Sequence, residues 1–412
     1  MQILIYTHAF PPMVGGIETI TMQLAQRLAE SSHSALGEEP RVVVVTPQPD
    51  PIAHENELPF QVVRAPSFWK LLTLIRKTDI LHISGSDMLP LLLGWLLRKN
   101  TVVQHHGFQT ACPNGQLIFE PTQGSCPGHF MAGRHRQCWS CNSAGGMMHS
   151  FKRWLLTYPR RWLCARAETN VMPTAWLGSL LQLPRMVTIH HGLPAPGSQG
   201  DHSPGRIAVS RAVGPPRIAY VGRLVTTKGV HILLKAASQL TDCEFQLMII
   251  GDGPERSRLE ADVRSLHLEG RVVFCGHLPT DEVEQMLAGA RAVVMPSVAG
   301  EVFGLVALEN MLRGKVVIVS QIGSLTEVIG DAGLTFPAGD ARALAGCVRQ
   351  VLDSEDFAEK MGARAAARAS SLFTPERMVD DHLSLYRRLL GAAPIMKSPL
   401  DSAIAPLAMT KD

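Results

Sequence analysis

Two cations lie in a segment that begins where an apolar run ends. Arg223 and Lys228 fall between Tyr220 and Gly229, where a strand pattern gives way to a helical one. A diphosphate carries two negative charges, and a pair of cations at the carboxyl end of a strand is suited to bind it. Exposed basic residues in a loop are more often simply solvated. The position of this pair favours a phosphate site over that alternative.

Two carboxylates, Glu301 and Glu309, lie on either side of a Phe-Gly pair at a predicted helix start. Their spacing would place one acid in a cleft and the other about two turns along the helix, where both can accept hydrogen bonds from hydroxyl groups. A solvated helix face is the alternative. The run around Glu309 is mostly apolar, however, and a buried carboxylate needs a partner or a ligand.

Paired glycines, Gly15 and Gly16, join the first predicted strand to the first predicted helix. Glycines at a helix N-terminus let backbone N–H groups approach an anion, and the helix dipole favours negative charge there. The alternative is that the pair only makes a tight turn.

Half of the eight cysteines are concentrated in one short segment: Cys112, Cys126, Cys138 and Cys141. The last two have the spacing of one half of a zinc site, but the first two are too far apart to form the usual second pair. Four thiolates would close a tetrahedron, so the metal would be structural, with His129 and His135 as substitute ligands. Reduced cysteines in a mobile acceptor loop are the alternative. A disulfide framework is not expected in so large a chain.

These residues need elements to position them, and the alternation of apolar runs with amphipathic segments predicts an α/β fold. Predicted strands in the first half are Gln2–Tyr6, Arg41–Thr46, Gln61–Arg64, Ile80–Ser84, Thr101–Gln104, Thr169–Met172 and Thr188–His190. A linker rich in Pro, Gly and Ser is expected at 194–216. Strands then resume near Arg217–Val221, Phe245–Ile250, Arg271–Cys275, Ala292–Met295 and Val316–Val319.

Two doubly wound parallel-sheet domains are therefore expected to face each other across a cleft, because open α/β sheets bind ligands at the carboxyl ends of their strands. The predicted domains are residues 1–200, with a cysteine-containing insertion at 112–141, and residues 213–373. A C-terminal helix is expected at 374–390 and a mobile tail at 391–412.

Composition excludes several classes of protein. The chain has 412 residues, 46% hydrophobic and 18% charged, with a net charge of +3, which argues against disorder and against nucleic acid as a partner. The N-terminus lacks the pattern of a signal peptide, so a cytoplasmic protein is expected. The apolar run at 88–97 is half the ~20 residues needed to span a bilayer. That run and the basic, Trp-bearing segment 152–161 suggest a peripheral membrane contact, although a buried helix is the main alternative for the first.

Taken together, these motifs resemble the retaining glycosyltransferases of family 4, which have the GT-B fold of two facing Rossmann-like domains. The resemblance covers roughly residues 1–390, from the Gly-Gly-x-Glu segment through the Arg223 and Lys228 loop and Gly251-Asp-Gly-Pro254 to the Glu-x(7)-Glu motif. It implies that Arg223 and Lys228 bind the diphosphate of a nucleotide-sugar donor and that Glu309 holds the ribose hydroxyls. Glu301 and the backbone of Phe303, Gly304 and Leu305 would face the donor sugar and its phosphates. His106, rather than its neighbour His105, fits the position of the histidine that this family places beside the transferred sugar.

The resemblance implies transfer to an acceptor hydroxyl in glycan, polysaccharide or glycolipid biosynthesis, with no metal or cofactor required for catalysis. The departing diphosphate would help to deprotonate the acceptor, a saccharide or a lipid-linked molecule, on the same face of the sugar. Two alternatives stay open: a nucleotide-sugar-binding protein without turnover, and another GT-B enzyme such as an epimerase or phosphorylase.

Overall fold

The computed structural model describes residues 1–31, 40–52, 54–122, 124–141, 145–196 and 214–391. Most of the predicted linker at 194–216, and the predicted mobile tail after Gly391, lie outside these residues. The helices are α1 Gly16–Glu30, α2 Phe68–Lys77, α3 Met88–Leu96, α4 His135–Ser140, α5 Met147–Cys164, α6 Ala175–Leu181, α7 Val230–Ala237, α8 Arg256–Ser265, α9 Thr280–Ala288, α10 Leu305–Leu312, α11 Gly323–Ile329, α12 Ala341–Asp353, α13 Glu355–Leu372 and α14 Pro375–Leu389.

The first domain is built on a sheet of seven parallel strands. The order across it is β3-β2-β1-β4-β5-β8-β9. These strands are β1 Gln2–Thr7, β2 Arg41–Thr46, β3 Gln61–Arg64, β4 Ile80–Ser84, β5 Asn100–Gln104, β8 Thr169–Met172 and β9 Met186–Thr188. The central strands are buried on both faces, as the four consecutive valines of β2 show, because helices cover both sides of a parallel sheet.

The second domain has a sheet of six parallel strands in the order β12-β11-β10-β13-β14-β15. These strands are β10 Arg217–Val221, β11 Gln246–Ile250, β12 Val272–Gly276, β13 Ala290–Met295, β14 Val316–Ser320 and β15 Leu334–Phe336. The order is that of a Rossmann fold, and it reverses between β10 and β13, where such sheets bind ligands. The predicted α/β class and the two Rossmann-like domains are confirmed.

The cysteine-containing insertion follows β5 and has little regular structure of its own. It contains a short antiparallel hairpin, β6 Ile118–Phe119 with β7 Gly124–Ser125, and it ends in α4, which packs on α5.

Helix α14 follows the second domain but packs against α1 of the first. Arg27 of α1 forms an ion pair with Glu376 at 2.7 Å, and the buried Tyr386 hydroxyl lies 2.8 Å from Nδ1 of His82 in β4. The C-terminal helix is therefore part of the first domain's packing.

Candidate functional site

The loop after β10 contains both predicted phosphate-binding cations. Arg223 is exposed, and within the described part of the chain its guanidinium has no carboxylate partner. Its own carbonyl accepts a hydrogen bond from the Tyr220 hydroxyl at 2.8 Å, which fixes the backbone beneath the side chain. The loop ends at Gly229, in the left-handed conformation with φ 67°. This loop holds Arg223 at the carboxyl edge of the second sheet with its charge free for an anion.

Lys228, unlike Arg223, has a carboxylate partner. Its ammonium donates to Oε1 of Glu301 at 2.5 Å, and the Ser297 hydroxyl donates to the same oxygen at 2.7 Å. The Glu301 side chain is only 7% exposed and that of Lys228 31%. The Ser324 hydroxyl also donates to the backbone carbonyl of Glu301, at 2.8 Å. The sequence therefore assigned both residues to one site, but it did not reveal that they are paired within it.

The loop carrying Glu301 runs directly into the N-terminus of α10. Gly304 precedes the helix with φ 89°, and the first N–H groups of a helix have no partners inside it. Leu305 lies against the first domain, since a Cβ placed on Gly16 would come within 2.9 Å of Leu305 Cδ1. The Gly15–Gly16 turn and the start of α10 therefore meet across the cleft. On the first-domain side, the Glu18 carboxylate packs against Gly15, where a Cβ would lie 2.6 Å from Glu18 Oε2.

Glu309 lies one turn into α10 and is partly buried. Burial raises the pKa of its carboxyl above the usual value; the nearby Arg313 opposes this and Glu284 adds to it. Arg313 itself pairs with Glu284 at 3.1 Å. Glu309 thus fits the sequence-based expectation of a carboxylate in apolar surroundings that needs a ligand to satisfy it.

The two adjacent histidines after β5 have different surroundings. His105 is buried, and its Nε2 lies 2.9 Å from the Asn170 side chain. His106 instead contacts Ser84 through Nε2 at 2.9 Å and stacks on His191 at 5.4 Å between ring centroids. His191 in turn contacts Phe303 at 4.9 Å. This ring contact places His106, not His105, on the side of the cleft where α10 begins.

Sequence reasoning missed Ser297 and His191. Ser297 lies two residues after the end of β13 and four before Glu301, so its place near a strand's carboxyl end was a usable signal. His191 belongs to a His-His-Gly triplet at 190–192 that repeats the one at 105–107. The repeated triplet indicated two similar loops, and in the structure these loops meet where His106 stacks on His191.

Five buried or partly buried histidines gather between the first sheet and the elements packed on it. They come from β4, the two His-His-Gly loops and α14: His82, His105, His106, His191 and His382. Burial is the main cause lowering the pKa of each, to about 4 for His105 and His382 and about 3 for His106. All five are neutral near pH 7.

We expect this cluster to make the folded state sensitive to acid. In the unfolded chain these histidines bind protons below about pH 6.5, whereas in the folded protein they stay neutral to lower pH. The free energy of unfolding is therefore at its full value above pH 6.5 and falls as the pH drops towards 4. The expected loss is roughly 1.4 kcal/mol per pH unit for each histidine. Thermal unfolding between pH 5 and 8 measures it. His382→Gln should reduce the slope and the exposed His54→Gln should not; equal slopes for both variants would contradict the prediction.

The four cysteines of the insertion lie around one small cavity, together with His129. This cavity is in the first domain, away from the loop of Arg223.

Comparisons with known proteins agree with this architecture. Residues 206–368 match the family model of glycosyl transferases group 1. Glycogen synthase of Mycobacterium tuberculosis is 28% identical over 404 residues, which span 90% of this chain and 91% of that enzyme. The 2-deoxystreptamine glucosyltransferase of Streptomyces kanamyceticus is 36% identical over 144 residues, 34% of this chain and 37% of that one.

Solved structures show the same fold at lower identity. Sucrose-phosphate synthase from Thermosynechococcus elongatus superposes with a TM-score of 0.67 at 21% identity, covering 95% of this chain and all 100% of that one. Anabaena HepE in complex with UDP and glucose gives a TM-score of 0.67 at 20% identity, covering 94% and 100%. The second domain is therefore similar to glycosyl transferases of group 1, and the chain as a whole has the GT-B fold.

Proposed function

We propose that the enzyme transfers a sugar from a nucleoside diphosphate donor to an acceptor hydroxyl with retention at the anomeric carbon. The observation that carries the proposal is the exposed guanidinium of Arg223, which has no carboxylate partner among the described residues, beside the Lys228–Glu301 pair. A free cation, a second cation and the N-terminus of α10 together suit a leaving diphosphate, on which negative charge grows during transfer. Anabaena HepE, which has this fold, was solved with UDP and with UDP-glucose, so UDP-sugars are the first donors to test.

In this proposal the donor lies across the carboxyl edge of the second sheet. Arg223, Lys228 and the backbone N–H groups at Gly304 and Leu305 bind the phosphates. Glu309 accepts hydrogen bonds from the ribose hydroxyls. The nucleobase lies near residues 276–279, where backbone groups after β12 select it.

The sugar lies towards the first domain. Glu301, already held by Lys228 and Ser297, accepts hydrogen bonds from sugar hydroxyls, and His106 contacts the sugar as a neutral imidazole. The bond from the anomeric carbon to the phosphate oxygen breaks, the acceptor oxygen bonds to that carbon on the same face, and the acceptor's proton passes to the departing phosphate. No cofactor or side-chain nucleophile is needed.

A panel of nucleotide-sugars tests the proposal. Calorimetry identifies the donor that binds, and NMR of the product reports its anomeric configuration. Binding without turnover against any acceptor would favour a non-catalytic binding protein. Release of an epimerised sugar, or use of inorganic phosphate in the reverse direction, would favour the epimerase or phosphorylase alternative. An inverted product would refute retention.

We further propose that the acceptor is lipid-linked and that the first domain lies on the cytoplasmic face of an anionic membrane. No helix in the described residues is long and apolar enough to cross a bilayer. Helices α2, α3 and α5 nevertheless expose apolar side chains and contain no acidic residue: the exposed residues include Trp69, Leu96, Leu155 and Trp162. Helices α2 and α5 also carry cations, among them Lys70, Arg76, Lys152 and Arg153, whereas the cations near α3, Arg98 and Lys99, follow the helix. Such a mixture suits the headgroup region of anionic lipid.

A cavity of about 540 Å³ opens between α3 and α5. Its lining includes Trp95, Leu96 and three cations, Arg98, Lys99 and Arg166, against one carboxylate, Glu168. Arg166 stacks on Trp162, with its guanidinium carbon 3.6 Å from the ring centroid. This combination of rings and cations is suited to a lipid phosphate.

Liposome flotation measures the membrane contact. The wild type is expected to float with anionic vesicles at low salt, and Trp69→Glu or Leu155→Glu to weaken partitioning by about tenfold or more, since each removes an apolar side chain worth ~1.5–3 kcal/mol when buried. Val273→Glu, at an exposed apolar position in the second domain, is the matched control. Wild-type protein that stays wholly in solution would refute the membrane contact.

A further inference from the structure

Four thiols and one imidazole surround a single small cavity in the insertion. Its lining includes Cys112, Cys126, Cys138, Cys141 and His129. The cavity volume is about 10 Å³, the space of roughly one water molecule or one ion. The other four cysteines lie elsewhere in the fold.

Separate stretches of chain bring these sulfurs together. Cys112 follows the turn after β5, Cys126 directly follows β7, and Cys138 and Cys141 belong to α4 and its C-terminal end. Cys112, Cys138 and Cys141 are each only 5% exposed. The described residues of the insertion form only a hairpin of two two-residue strands, a 3-10 turn at Glu120–Thr122 and a six-residue helix, so the convergence of its thiols is hard to explain by packing alone.

The groups around the thiols resemble the outer shell of a metal site. The backbone N–H of Glu120 and the side-chain N–H of Asn114 both donate to Sγ of Cys141, at 3.3 and 3.2 Å. Hydrogen bonds of this kind orient metal-bound thiolates. His129 is 8% exposed, and its Nδ1 is buried with no hydrogen-bond partner in the described part of the chain. An unpartnered imidazole nitrogen beside these sulfurs is placed to donate a hydrogen bond to a thiolate that binds a metal.

We propose that Cys112, Cys126, Cys138 and Cys141 bind one structural Zn²⁺, with His129 beside them in the outer shell. The described side chains do not already stand in metal-binding geometry: the Cys112 thiol donates to Asn114 Oδ1 at 3.0 Å, and that of Cys141 to the Ile118 carbonyl at 3.1 Å. On binding, each thiol gives its proton to solvent and its sulfur turns towards the cavity, to a Zn–S distance of ~2.3 Å. No oxidant or reductant takes part.

The proposed metal is connected to the catalytic cleft through one turn. Asn114, between Cys112 and the hairpin, accepts a hydrogen bond from the backbone N–H of Gln116 at 2.9 Å. The Gln116 carbonyl abuts Gly300 of the second domain, where an added Cβ would lie 2.9 Å from it. Gly300 is the residue before Glu301. The metal would therefore hold the part of the first domain that packs against the loop carrying Glu301.

Metal analysis of protein expressed with added zinc, and purified without a histidine tag or chelator, tests the site. We expect about one equivalent of zinc in the wild type and in the Cys347→Ser control, whose cysteine lies in α12 of the second domain. Cys138→Ser and Cys126→Ser should each retain less than about a tenth of an equivalent. Less than a tenth in the wild type would overturn the proposal, as would iron with sulfide in place of zinc.

Two measurements on folded protein do not depend on variants that might misfold. Wild type loaded with Co²⁺ is expected to show the thiolate-to-cobalt charge-transfer absorption of a tetrahedral sulfur site. Thiol titration should find four additional reactive cysteines once a chelator is added. A disulfide between any two of the four, detected by mass spectrometry of freshly purified protein, would refute the site.

The His129→Ala variant tests which groups bind the metal, and it is expected to keep its zinc. Loss of zinc from His129→Ala together with retention of zinc in Cys126→Ser would overturn the four-thiolate ligand set.

Discussion

Replacing both Arg223 and Lys228 by alanine is expected to reduce kcat/KM for sugar transfer by about 10²–10⁴-fold. In the proposed site each cation would contribute a charge-assisted contact to the diphosphate worth ~1.5–3 kcal/mol, and ~1.4 kcal/mol corresponds to a factor of ten in rate. The decrease in kcat/KM should exceed the decrease in donor affinity, because the negative charge on the phosphate grows as the sugar leaves. Steady-state kinetics together with calorimetry of the nucleotide separates the two quantities.

The controls follow from the different surroundings of the two cations. Arg223 is exposed, so Arg223→Ala should leave thermal stability unchanged. Lys228→Ala leaves the buried Glu301 without its cation, so the unfolding temperature of this variant must be measured. Lys228→Arg keeps the positive charge and serves as its control. Lys235→Ala, at an exposed position on α7 of the same domain, is the matched variant. Wild-type turnover by a folded double variant would show that the diphosphate lies elsewhere.

The second large effect is expected from Glu301→Gln, which should lower kcat by about 10–100-fold and change the affinity for the bare nucleoside diphosphate little. The glutamine keeps the size of the side chain, and its carbonyl oxygen can still accept from Lys228 and Ser297. It loses the negative charge that strengthens hydrogen bonds to sugar hydroxyls. The substitution is therefore expected to slow transfer of the sugar without weakening binding of the nucleotide.

Glu309→Gln is the matched comparison, with the opposite expectation. It should weaken binding of the bare nucleoside diphosphate by about tenfold, since it removes a charged acceptor from the ribose. Calorimetry with that nucleotide and kinetics with the donor compare the two variants. The reverse ranking would exchange the roles of Glu301 and Glu309.

The strands show what the sequence could predict. Five strands have the predicted bounds: Arg41–Thr46, Gln61–Arg64, Ile80–Ser84, Thr169–Met172 and Arg217–Val221. They could be predicted because a buried parallel strand has a continuous apolar sequence between turn residues. The strand at Leu334–Phe336 was missed. It has only three residues, too few for a pattern to stand out from the adjoining helices.

The sequence allowed residues of a candidate site to be selected, but it did not predict the contacts between them. Arg223, Lys228, Glu301 and Glu309 could be selected because their types and places at strand ends suit a diphosphate and hydroxyl groups. The ion pair between Lys228 and Glu301 could not, since those residues are 73 positions apart and only the packing of two loops brings them together. The pairing of His106 with His191 depends on tertiary structure in the same way.

The return of α14 to the first domain determines how the two halves can move. The chain leaves the first domain after Leu193 and re-enters it at Thr374, and these two passages lie side by side: the Leu193 N–H donates to the Phe373 carbonyl at 3.0 Å, and a Cβ on Gly192 would come within 2.1 Å of the Thr374 oxygen. If the two domains rotate relative to each other, two adjacent crossings would serve as one hinge axis. A rotation that keeps them paired separates Leu305 from Gly16 and the Gln116 turn from Gly300. Substrate entry and product release would then be a swing about residues 192–193 and 373–374, with the donor loops on the moving edge.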